Sequence, residues 1–111
     1  MLIPIIKKIE TISGYIGSAI LNGEGEIIYI HEDKQLDLAF SSSLFNDTFR
    51  QLSEASLDMG LSNLLRLETE TEEGMVSLLY ANQDYTIFTI FDVKGNISLA
   101  KMLLAQALKK V

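Results

Sequence analysis

Apolar and polar positions recur along this chain in two rhythms, and the switches between them divide it into eight elements. From Leu2 to Ile12, apolar side chains fall at Leu2, Ile5, Ile6, Ile9 and Ile12, the three- and four-residue spacing of one helix face. Pro4 fits the first turn of that helix, where no backbone N–H has a partner to lose. Residues 17–21 and 26–30 are too short for a helical period and read as strands. Between them lies Asn22-Gly23-Glu24-Gly25, whose Asn-Gly pair suits a hairpin turn. A phosphate-cradling glycine loop would lead into a helix N-terminus. The strand-like Glu26-Ile27-Ile28-Tyr29-Ile30 follows instead, so a hairpin tip is predicted.

The longest element runs from Asp37 to Met59, roughly 33 Å of helix. Leu38, Phe45, Phe49, Leu52, Ser56 and Met59 form one stripe on it, and Asp47, Arg50, Gln51, Glu54 and Asp58 mark another face. Gly60 supplies a stop. Three strand runs follow, Asn63–Thr71, Met75–Tyr80 and Tyr85–Phe91, with turns at Glu73-Gly74 and Asn82-Gln83-Asp84. The last run is apolar on both faces, with Ile87 and Phe91 on one and Phe88 and Ile90 on the other, which predicts a central strand covered on both sides. The first alternates Arg66, Glu68 and Glu70 with Leu65, Leu67 and Thr69, the pattern of an edge. A final helix from Asn96 to Val111 carries Ile97, Ala100, Leu104, Leu108 and Val111 on one stripe, with Asn96 as its N-cap. The predicted architecture is a single domain over 1–111, α-β-β-α-β-β-β-α, a three-layer α/β/α sandwich.

Composition narrows the function classes. No run approaches the ~20 apolar residues of a membrane span. At the start, Lys7 and Lys8 follow the apolar run and no small-residue cleavage site is present, so a signal peptide is not expected. The chain has no cysteine, which excludes disulfides, thiolate catalysis and Cys-based zinc sites; a cytoplasmic location is the expectation. Nine basic against fifteen acidic residues give a net charge of -6. The local basic clusters, Lys7-Lys8 and Lys109-Lys110, sit at opposite ends of the chain, so no phosphate-neutralising stripe exists and nucleic acid is not an expected partner.

Candidate chemistry is sparse. His31-Glu32-Asp33 has metal-ligand residue types, but three consecutive residues converge poorly on one ion and no second histidine completes a site. Ser41-Ser42-Ser43 belongs to the start of the long helix, and no nucleophile elbow is present. No nucleophile, base and stabiliser can be assembled, so neither an enzyme nor a cofactor or metal is expected. Glu68, Glu70, Glu72 and Glu73 lack the carbonyl donors of a calcium loop and read as a charged edge, or as an acidic docking strip. Phe45, Phe49, Phe88 and Phe91 fit core packing better than base stacking. Asp47, Arg50, Gln51, Glu54 and Asp58 form the best partner-binding candidate, set against an ordinary solvated helix face. Arg50 is expected to pair with Glu54 at i,i+4 rather than to act as an arginine finger.

Order and spacing together resemble the roadblock family, named for the roadblock class of dynein light chains. The resemblance rests on Gly14-Tyr15-Ile16-Gly17 opening a strand pair with a glycine turn, on Leu67-Glu68-Thr69-Glu70 running to Gly74, and on Gly95-Asn96-Ile97 opening the last helix. It covers nearly the whole chain. It implies a five-stranded, antiparallel-rich mixed sheet of order 2-1-5-4-3, as in roadblock and profilin-like folds. It also implies a homodimer joined through the third strand and the long helix, here Leu64, Leu65, Arg66, Leu67 and Glu68 with Phe45, Phe49 and Leu52. Centring the strand pairing near Leu67 places Arg66 opposite Glu68 of the second chain, twice by symmetry, and avoids opposing glutamates. Family members bind and regulate small Ras-like GTPases, some without inserting an arginine, or serve as scaffolds. The leading expectation is therefore a non-catalytic GTPase-binding module. The alternatives are a nucleotide-independent scaffold bridging larger partners and a small-molecule sensor using a cleft between sheet and helix.

Overall fold

The computed structural model of the protein describes residues 2–32 and 36–109. Asp33, Lys110 and Val111, which figure in the readings above, lie outside those residues. The elements are α1 (Ile3–Ile9), β1 (Tyr15–Asn22), β2 (Ile27–Glu32), α2 (Leu38–Asp58), β3 (Arg66–Glu70), β4 (Met75–Ala81), β5 (Tyr85–Asp92) and α3 (Ile97–Lys109). The five strands form one sheet in the order β2-β1-β5-β4-β3. Every neighbouring pair is antiparallel, so the expected mixed character is absent. The reason is the crossover. α2 returns the chain so that β2 and β3 run the same way, but it carries β3 to the opposite edge, where the two cannot pair.

The two faces of β5 explain the layering. Ile87 and Phe91 pack into a core with Ile6, Ile9, Ala100 and Leu104 of α1 and α3. Phe88 packs on the other face with Leu38 and Phe49 of α2 and with Leu79 of β4. Burying a side chain of this size is worth about 1.5–3 kcal/mol, so the central strand fixes both helix layers at once.

Junctions differ from the periodicity in instructive ways. α1 ends at Ile9 rather than Ile12 because Thr11 and Ile12 turn back by donating N–H bonds to Lys8 and Ile9 carbonyls, and the Thr11 hydroxyl also donates to Lys8. Ile12 nonetheless reaches the core. β1 begins at Tyr15, and a bulge between Tyr15 and Gly17 skips Ile16 in the ladder with β5. Here the α1–β1 and β5–α3 junctions touch: Asn96 N–H donates to Ser13 O at 3.1 Å and Asp92 N–H to Gly14 O at 2.8 Å. The contact needs glycine, because a Cβ on Gly95 would lie 2.3 Å from Ser13 O.

α2 begins where Asp37 accepts the Phe40 N–H at 3.2 Å. Its buried side is Leu38, Ser42, Asn46, Phe49 and Ser56. Leu52 and Met59, placed on the same stripe by spacing, are instead 43% and 71% exposed. Short polar side chains occupy the sheet-facing line and are satisfied there. The Thr86 hydroxyl donates to Asn46 Oδ1 at 3.1 Å, Leu64 N–H donates to Ser53 Oγ at 3.0 Å, and the Ser56 hydroxyl donates to Ser62 O at 2.6 Å. The last two bonds hold residues 62–64 against the helix, so β3 starts at Arg66 and not at Asn63.

Candidate functional site

The polar flank of α2 stands clear of the sheet, with Asp47, Arg50, Gln51, Glu54 and Asp58 all exposed. The expected Arg50–Glu54 pair does not form. Arg50 reaches across to the β1–β2 turn and donates to Gly23 O at 3.2 Å. Charge is segregated between the two helix layers: α2 carries Asp47, Glu54 and Asp58 against one arginine, whereas α1 and α3 carry Lys7, Lys8, Lys101 and Lys109 with no acidic residue inside either helix. Beneath the α2 flank a cleft of ≈570 Å³ opens between the helix, residues 63–65 and the β4–β5 turn. Arg50 and Glu54 both line it.

The second candidate surface is the β3 edge. Ala81 N–H donates to Leu65 O and Thr71 N–H donates to Met75 O. Antiparallel bonding alternates, so the odd-numbered residues of β3 bond to β4. The N–H and C=O groups of Arg66, Glu68 and Glu70 point to the open edge. The side chains of two of them are engaged on the α3 face: Lys101 Nζ lies 2.7 Å from Glu68 Oε1, and the Arg66 guanidinium sits 5.8 Å from the Tyr80 ring centroid. On the α2 face, Phe45, Leu64 and Leu67 are partly buried around the Phe88 core. Leu52, Met59, Leu61 and Leu65 continue outward as exposed apolar surface. Phe49 does not belong to that surface; it lies beneath the helix at 5% exposure. Leu64 and Leu65 are present but sit in the irregular segment before the strand.

A polar network missed by the sequence reading joins α1 to the other sheet edge. The Tyr15 hydroxyl lies 2.7 Å from Ser18 Oγ and 3.0 Å from His31 Nδ1. Glu10 accepts from the Tyr29 hydroxyl and lies 3.8 Å from His31 and 3.7 Å from Lys7. Burial and the Glu10 hydrogen bond hold the Tyr29 phenol above its usual range. The signal in sequence was faint: Glu10 is the one acidic residue at the end of a lysine-bearing apolar helix. Ser18 is fully buried beneath Tyr15 and is no accessible nucleophile. Among the described residues, no three His, Asp or Glu side chains form a metal-ligand group. No helix of the described chain is long and apolar enough to cross a membrane.

No protein-family model matches the sequence. No curated protein matches it either. The fold, however, has clear relatives among solved structures. A roadblock/LC7 domain from Streptomyces avermitilis superposes with a TM-score of 0.79 at 9% identity, over 96% of this chain and 89% of that one. The gliding protein MglB from Thermus thermophilus gives 0.80 at 13% identity, over 96% and 82%. An MglB in a tetrameric arrangement gives 0.81 at 12% identity, over 96% and 81%.

Proposed function

We propose that this chain, whose fold is that of the roadblock/LC7 domains, is a non-catalytic module that pairs with a second copy of itself and binds and regulates a small Ras-like GTPase. The observation that carries the reading is the β3 edge, where outward-facing backbone groups of Arg66, Glu68 and Glu70 adjoin the exposed apolar surface of Leu52, Met59 and Leu65. An open edge beside uncovered apolar side chains is stabilised by pairing with another chain. Only even-numbered residues of β3 have bonds to offer, so a two-fold pairing centred on Leu67 joins Arg66 to Glu68 in both directions and sets Leu67 against its own copy. Glu68, already held by Lys101, then has a cation on each side.

Pairing on that flank of α2 leaves Asp47, Gln51 and Asp58 on the outer side, and this acidic face is the docking surface assigned to the GTPase. Its chemistry favours a partner with a basic rim, since complementary charge raises the encounter rate and rejects wrong partners. The likeness to MglB and to roadblock/LC7 domains supports the reading. Regulation requires different affinity for the two nucleotide states.

The experiment is a pull-down from host lysate with the tagged chain, run in parallel with GTP analogue and with GDP, alongside sedimentation of the purified protein. The reading expects a dimer, and a Ras-like GTPase enriched in one nucleotide condition. The same partners in both conditions, with no GTPase among them, would replace it with a nucleotide-independent scaffold. A cytoplasmic location is part of the proposal and is checked by fractionating the same lysate.

A further inference from the structure

We propose that the cleft beside α2 is a binding site for a small zwitterion with an apolar body, of the chemical class of the apolar α-amino acids. Arg50 takes the carboxylate and Glu54 takes the ammonium. The two charges sit one helical turn apart, the spacing at which such residues normally meet, yet they do not pair. Arg50 is turned away and anchored on Gly23 O at 3.2 Å. A guanidinium has five N–H donors, so the anchor orients the head and leaves donors for a ligand. Glu54 keeps both oxygens for the same purpose. A helix that leaves a complementary pair apart while both members line one concavity offers the two opposite charges that a zwitterion would meet there.

The rest of the lining fits the remaining part of such a molecule. Phe49, Leu57, Leu64 and Ala81 supply apolar contact, and the cleft is ≈570 Å³. That volume falls within the roughly 300–1,000 Å³ of small-molecule sites. Two buried polar side chains of the lining are bonded to each other, the Thr86 hydroxyl donating to Asn46 Oδ1. A plain carboxylate would meet the negative Glu54 beside its site, and a plain amine would meet Arg50; only the zwitterion satisfies both. The cleft is lined by one chain, so the inference does not rest on the GTPase reading, although Leu65 belongs both to the cleft and to the surface assigned to self-pairing. A ligand there would lie against the acidic flank and bear on any docking to it.

The test is a ¹H–¹⁵N NMR titration of the full chain with L-leucine and L-phenylalanine. Isovalerate, which lacks the ammonium, and isoamylamine, which lacks the carboxylate, are the single-charge controls. The expected result is saturable shifts at the amides of Leu57, Leu64, Ala81 and Gln83 with at least one amino acid, and binding at least about tenfold tighter than either control. Arg50→Ala and Glu54→Gln each weaken it at least about tenfold while their spectra elsewhere superpose on the parent; Asp47→Asn leaves it unchanged. No saturable shift from either amino acid overturns the proposal. So does equal binding of amino acid and controls, or binding indifferent to both variants.

Discussion

Alanine at Gly95 is the sharpest probe of how this fold is closed. The new Cβ would lie 2.3 Å from Ser13 O, 2.9 Å from Gly14 Cα and 3.1 Å from Asp92 O. All three are backbone atoms, so no side chain can swing aside and the two junctions must separate. Forced overpacking costs about 1–3 kcal/mol. Separation also stretches the Asn96–Ser13 hydrogen bond, a further ~1 kcal/mol. Loss of freedom in the unfolded chain offsets about 0.4–1 kcal/mol of this. The expected net loss is about 1–3.6 kcal/mol, against a total stability of about 5–15 kcal/mol for a domain, so the variant still folds and can be measured. Urea unfolding followed by circular dichroism reads the difference as a lower midpoint with unchanged slope. Gly60→Ala is the control. Gly60 has φ +87° but nothing within 4 Å of the added methyl, so it carries only the backbone penalty of about 1–2 kcal/mol. If Gly95→Ala unfolds within about 0.5 kcal/mol of the parent, the scale of an ordinary surface substitution, or no earlier than Gly60→Ala, the junction contact is not what closes the fold.

Three further outcomes are expected. Thr89 is buried in the central strand with its hydroxyl unpartnered among the described residues; Thr89→Val removes a desolvated polar group at constant shape and raises stability by about 1 kcal/mol in the same urea assay. Glu68→Pro deletes an outward N–H while leaving the odd-residue bonds to β4, so sedimentation should show monomer with the circular dichroism retained, whereas Thr69→Pro should unfold the β3–β4 ladder; a Glu68→Pro chain that still dimerises rejects β3 pairing. Burial holds the Tyr29 and Tyr80 phenols above the usual value of 10.0. A phenol whose folded pKa is raised gives stability that is complete below the unfolded value and lost as pH rises through the folded one. Urea midpoints should therefore fall above about pH 10, and the fall should be shallower in Tyr80→Phe; a flat alkaline limb contradicts it.

Much of the fold was readable because its strongest signals are local or come from burial on two sides. Tyr85–Phe91 is apolar on both faces, and that alone placed β5 between helix layers. Asp37 and Asn96 sit where the helices begin, and both cap: Asn96 accepts the Leu99 N–H at 3.3 Å. The long helix was read less well for a physical reason. Periodicity finds apolar residues on one stripe but cannot tell which are covered by the same chain. Leu52 and Met59 were grouped with Phe49, although only Phe49 meets the sheet. Asn46 and Ser53 look like solvent-facing positions until their partners, Thr86 and residues 63–64, are known. The Arg50–Glu54 pairing failed likewise, since the competing acceptor is a backbone carbonyl 27 residues away. The cleft joins α2 to a turn some thirty residues further on and leaves no mark in any one window.

The two edges of the sheet are not equivalent, and the difference bears on how far assembly can extend. Self-pairing by a two-fold at β3 consumes that edge in both copies and leaves β2 at each outer end, so growth stops at two. A second self-pairing at β2, where Ile28 and Ile30 are 52% and 44% exposed, would remove the stop and turn a closed particle into an unlimited ribbon. What stands in the way is modest: Glu26 and Glu32 near the strand ends, and a ladder irregularity between Ile20 and Leu21 of the adjoining β1. The boundary between a closed pair and a filament would thus lie in a few residues at the β2 end of the sheet, next to the β1–β2 turn that Arg50 of the long helix already touches.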